Sequence, residues 1–207
     1  MTRLKLVAIG IGAVLAWLGY QEFKLGAVAS ETPQTITCAE LEATGPGDNA
    51  HVVMGDFVLL EQAFVYESRE NSSRWDKIWI PALPLEGEFY QELLSLADSE
   101  GNLPTDNLPL PKTIRVIVRS SKVHNEGQLA TIAGADTLQG LITNEIESLG
   151  SEERKLLTES YPGIDFDAVW ILEHERKPSG KGKTWGLLGG GTLLVLLGLG
   201  AFFINRD

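Results

Sequence analysis

Twenty-two consecutive residues, 184–205, carry no charge. They read Thr184-Trp-Gly-Leu-Leu-Gly-Gly-Gly-Thr-Leu-Leu-Val-Leu-Leu-Gly-Leu-Gly-Ala-Phe-Phe-Ile-Asn205. A helix needs about 20 apolar residues to cross about 30 Å of hydrocarbon, and this run has that length. It is apolar on every face, whereas a surface helix of a globular protein keeps one face polar. The run therefore predicts a transmembrane helix over residues 184–205, and every fold the chain adopts must accommodate it.

A second uncharged run covers residues 6–21, directly after Arg3 and Lys5. Basic residues followed by an apolar stretch also open a signal peptide, and Ala27-Val28-Ala29 offers a small-residue cleavage pattern. Glu22 and Lys24 interrupt the route to that site. Arg3 and Lys5 can reach outward to the headgroups and lengthen the effective span. The expectation is thus a retained anchor over residues 1–22, with an uncleaved signal as its equivalent. Trp17 and Tyr20 close this run and Trp185 opens the other, where an interfacial aromatic belt is expected. Gly186 and Gly190 are four apart, as are Gly12 and Ala16. Small residues at that spacing let helices approach closely, so the anchors are expected to pair with each other or with a second copy of the chain.

Charge separates the ends from the middle. Residues 31–175 hold 9 basic and 26 acidic side chains, a net −17, while the flanks are +6 and the whole chain −11. The middle reads as a water-facing acidic domain over residues 31–175, followed by a basic juxtamembrane tether at 176–183. An acidic domain is a poor match for nucleic acid, whose binding requires cations that displace counterions. Basic residues stand on both sides of the anchors. Arg3 and Lys5 favour a cytoplasmic N-terminus, while Arg176, Lys177, Lys181 and Lys183 favour a cytoplasmic domain. Because the first helix usually dominates, an extracytoplasmic domain is expected.

Within the domain, residues 51–60, 62–66 and 75–80 are rich in β-formers and read as a three-stranded antiparallel meander. A helix is expected over residues 88–99, where Phe89, Leu93 and Leu96 share a face. Residues 113–119 alternate like a strand. Asn125 is placed to cap a helix reaching Ala133, and Ser151 to cap another that Pro162 and Gly163 end. Residues 137–148 fit helix or strand, and residues 168–173 make a last strand. The expected fold is an α+β soluble domain, antiparallel strands with several helices, flanked by two terminal transmembrane helices.

Candidates for chemistry are few. His51, His124 and His174 are far apart in sequence and lack a metal-binding spacing, so no metal or other cofactor is expected. Asp165 and Asp167 flank Phe166 and offer two carboxylates that a histidine, His51 or His174, would complement in a hydrolase. No nucleophile elbow or phosphate-binding glycine loop is present in the water-facing part. Cys38 is the sole cysteine, which excludes an internal disulfide and supplies one thiol for probing topology. Taken together, the residues favour a membrane-anchored, non-enzymatic protein. Its acidic domain would stand beside the bilayer to recruit, scaffold or regulate another protein, one in or near the membrane or a second copy. A membrane-tethered hydrolase using Asp165 or Asp167 is the alternative.

Overall fold

A computed structural model describes residues 2–70, 72–96, 111, 113–143 and 150–204. The chain forms two compact units, Met1–Glu31 with Pro178–Asp207, and Thr32–Lys177. In chain order the helices are α1 (Thr2–Val28), α2 (Cys38–Thr44), α3 (Glu88–Ser95), α4 (Glu126–Ala133), α5 (Ser151–Ser160) and α6 (Lys181–Ile204). The strands are β1 (Gln34–Thr37), β2 (His51–Gly55), β3 (Phe57–Leu59), β4 (Val65–Ser68) and β5 (Trp75–Pro84), then β6 (Val116–Ser120), β7 (Thr137–Thr143) and β8 (Trp170–His174).

In the first unit, α1 and α6 run antiparallel. Ile9 lies against Gly198, Gly12 against Gly191 and Val195, and Gly19 against Leu188. Both helices are long and apolar enough to cross a membrane, over Lys5–Val28 and Gly182–Ala201. The first helix runs on to Val28 instead of stopping near residue 22, because Glu22 and Lys24 break the apolar run without removing helix propensity.

The second unit is a mixed α/β domain around one eight-stranded sheet in the order β1-β2-β7-β8-β6-β5-β3, with β4 also on β5. Only Asp56 separates β2 from β3, and its φ of 54° turns the chain sharply; aspartate tolerates that left-handed conformation better than most residues. The two halves of this bent segment pair with different strands, β2 with β7 and β3 with β5. The sheet consequently comes close to closing into a barrel.

Directly opposite residues share a face. On one face Val52, Ile80, Val118, Ile142 and Leu172 are buried. On the other, Trp79, Ile117 and Ile171 meet Leu157 of α5 and Tyr161 at its C-terminal end. The Tyr161 hydroxyl donates to the Ala63 carbonyl, and burial pushes its pKa up. A smaller cluster joins Leu60, Leu83 and Leu93 beneath α3.

Several elements differ from the sequence reading. The strands are not all antiparallel, since β1–β2 and β6–β8 are parallel pairs. The meander is not a simple one: residues 61–63 form a 3₁₀ turn, and β3 and β4 follow one another along the same side of β5. Residues 137–143 are strand because they fit between β2 and β8; residues 144–149 lie outside the described residues, as do 97–110. Gly150, not Ser151, occupies the cap position of α5, and the Glu153 carboxylate accepts its N–H at 3.0 Å. Asn125 caps α4 through the Gln128 N–H at 3.0 Å. The tether shortens, because α6 already begins at Lys181.

Candidate functional site

Among the described residues, a run of linked charges lies where β8 ends. Strand register places Arg119 and Leu141 on either side of Glu173. On this face Arg119 Nη1 stands 3.3 Å from Glu173, and Arg176, just past the strand, bonds the other oxygen of the same carboxylate. The first turn of α5 brings Glu153 down to Lys77 at 2.5 Å, and Glu67 faces Lys77 from β4 at 3.8 Å. Burial pushes the Glu153 pKa up. The Lys77 hydrogen bond, the Gly150 N–H and the charge of Arg119 outweigh it and hold the carboxyl below its ordinary range. Three carboxylates and three cations alternate along this ladder, which ties β4, β5, β6, β8, α5 and the start of the tether together.

The opposite face of the same sheet end carries Ser120 and His174. Ser120 Oγ lies 3.3 Å from His174 Nδ1 and also accepts the Lys122 N–H at 3.1 Å. Burial lowers the His174 pKa, and the Glu175 charge opposes that shift without cancelling it. A hydroxyl beside a neutral imidazole is the start of a nucleophile. Here, however, Ser120 is buried and closes a local turn onto Lys122, which is a structural use of its oxygen.

The remaining histidines also bond within the fold. The Gln139 amide donates to His51 Nε2 at 2.9 Å, which fixes that nitrogen as the acceptor. The Trp75 carbonyl sits 2.7 Å from His124 Nδ1, so that nitrogen donates; Nε2 then accepts from Arg74 at 2.8 Å. Among the described residues no three His, Cys, Asp or Glu side chains converge to hold a metal ion.

Asp165 and Asp167 are not brought to a histidine. Asp165 accepts the Asp167 N–H at 3.1 Å and so closes the turn that precedes β8. His174 ends β8, and His51 shares a row with Leu141 and Glu173 at that same end. The aspartates and both histidines therefore stand at opposite ends of the strand, and a hydrolytic centre does not assemble from them.

Aromatic side chains gather elsewhere. Trp75 is buried, with the Tyr66 ring at 5.3 Å and the Phe64 ring at 5.0 Å. Tyr66 is exposed and stacks on both neighbours. Trp79 is core, and Trp170 packs on Gly45, whose φ of 72° and lack of a Cβ that ring requires. Cys38 is buried, and desolvation with the nearby Glu42 charge pushes its thiol pKa up. It is no probe of the native state.

In the helical unit, Gly12 and Ala16 face Gly191, and a Cβ built on Gly12 would come within 2.8 Å of the Gly191 carbonyl. Gly186 and Gly190 point away, with open space where a Cβ would be. The contact runs instead through Gly12 and Gly19 on one helix and Gly191 and Gly198 on the other. Each pair is spaced by seven, so a heptad of small residues was the readable signal. Trp17, Tyr20 and Trp185 are exposed at 59%, 52% and 61%. Phe23 meets Trp185 edge-on at 6.0 Å beside a cavity of about 160 Å³ that Ala27, Pro178 and Thr184 also line.

The chain matches no family model, and no curated protein or solved structure is detectably similar to it.

Proposed function

We propose that the chain is a membrane-anchored, non-enzymatic protein whose acidic domain recruits, scaffolds or regulates another protein beside the bilayer. The observation that supports this most is the exterior of the helical hairpin. The two helices meet largely through glycines, and many of their large side chains, among them Val7, Ile11, Val14, Leu193, Leu196 and Leu197, are exposed. An apolar surface of that extent calls for lipid or another apolar partner. In the domain, the histidines and the ladder charges are engaged in holding strands and turns. Most of the acidic excess remains for a basic partner, drawn by long-range attraction.

The partner is tested in membranes bearing the full chain. A protein crosslinked through a photoreactive side chain at Tyr66, in a yield that falls as salt is raised before irradiation, supports recruitment. Turnover of ester, peptide or phosphate substrates that disappears in Ser120→Ala contradicts it.

The domain is placed on the extracytoplasmic side, following Arg3 and Lys5. An impermeant maleimide on intact cells checks this with Glu126→Cys in a Cys38→Ala background, since Glu126 is exposed and Cys38 is buried. Labelling without permeabilisation is expected; labelling only after permeabilisation reverses the placement.

A further inference from the structure

The hairpin register sets a thickness as well as a contact. On α1 the uncharged run is bounded by Lys5 and Glu22, and its 16 residues span about 24 Å at 1.5 Å per residue. Lys5, and the residue next to Glu22, both contact α6. The Lys5 ammonium donates to the Ala201 carbonyl, and Phe23, next to Glu22, meets Trp185. Between them, Ile9 on Gly198 and Gly19 on Leu188 hold one continuous register. Lys5 thus directs its charge sideways onto α6 at its own level, where an outward-reaching lysine would have lengthened the apolar span. At the other end Tyr20 and Trp185 are exposed, and such rings favour the headgroup level. α6 continues three residues past Ala201, to Ile204, with no charge, so it accommodates either thickness and α1 is the restrictive helix.

Typical bilayers have about 30 Å of hydrocarbon, endoplasmic-reticulum membranes about 27 Å and sterol-rich plasma membranes about 32–33 Å. We propose that the hairpin is matched to a thin bilayer, with a hydrocarbon core of about 24–27 Å, and is disfavoured in thick, sterol-rich ones. This rests on the membrane-anchored reading above.

The full chain is reconstituted into vesicles of single monounsaturated phosphatidylcholines, from fourteen to twenty-two carbons per chain, and incorporation is read by flotation. Incorporation is expected to peak at fourteen to sixteen carbons and to fall several-fold at twenty-two. Lys5→Leu lengthens the uncharged run by two residues at one end, and Glu22→Leu lengthens it by two at the other. Each is expected to move the peak to the next longer lipid. A peak at eighteen carbons or beyond, a flat profile, or no shift in either variant overturns the thickness match while leaving the anchor intact. Flotation with none of the vesicles overturns the anchor itself and the match with it.

Discussion

The two units solve packing in opposite ways. In the hairpin, backbone comes close to backbone: Gly12, Gly19, Gly191 and Gly198 bring the helices together, and many of the large side chains face out. In the domain the large side chains face in, around Trp79, Leu157 and Leu172, and the charges lie at the rim. Water drives the second arrangement, since burying apolar surface stabilises it by about 25 cal/mol per Å². That drive is missing between helices already surrounded by lipid, where close van der Waals contact takes its place. Under the proposed membrane anchor, a single chain contains packing suited to two solvents.

The contrast can be broken most forcefully in the domain. Trp79→Ala empties the largest fully buried side chain and is expected to destabilise the domain by about 3–5 kcal/mol. Chemical denaturation followed by circular dichroism measures this, and α1–α6 pairing should persist. Next comes the hairpin. Gly191→Leu drives a side chain into the Ala16 backbone and is expected to cost about 3 kcal/mol of helix pairing, read by energy transfer between labels on α1 and α6. Gly190→Leu points into open space and should change pairing by less than about 0.5 kcal/mol. If the two substitutions behave alike, the glycine register is wrong.

Glu153 sharpens the rim. Its folded pKa is depressed, so its stabilisation is present above the unfolded value of about 4.3 and is lost as pH falls through the lower folded value. Glu153→Gln is expected to remove about 1–2 kcal/mol at neutral pH, a figure reduced because Lys77 is about a third exposed. The same substitution should flatten the decline in stability between pH 5 and pH 3, measured by unfolding across that range. The smallest loss of domain stability is expected at α4, where Asn125→Ala should cost about 1 kcal/mol in the same unfolding measurement.

What the sequence revealed follows the same division. The two long apolar helices were legible because hydrophobicity is a local property, and so were β6, α3 and the Asn125 cap. On α1 the expected Gly12 and Ala16 do meet α6, whereas on α6 the contact runs through Gly191 and Gly198, because seven-residue spacing, and not the four-residue step of Gly186 and Gly190, keeps small residues on the contact face here. Thr37-Cys-Ala-Glu40 is a complete capping box, with Oγ and carboxylate contacts at 3.1 and 2.9 Å, yet α2 went unread beside the short β1. The ladder was beyond local reading. Lys77 and Glu153 are 76 residues apart, and only the path of α5 over β5 brings them together. Parallel pairing of β6 with β8 is likewise a property of topology, which no alternation pattern encodes.

The outward face of the hairpin is the feature on which membrane placement depends. Spin labels at Val14 and Leu197, both exposed, in a Cys38→Ala background report it by collisional relaxation in reconstituted vesicles. Strong relaxation by oxygen with little by a water-soluble nickel chelate is the expected result. Strong relaxation by the chelate at either position would show a water-facing helix pair and contradict the membrane anchor.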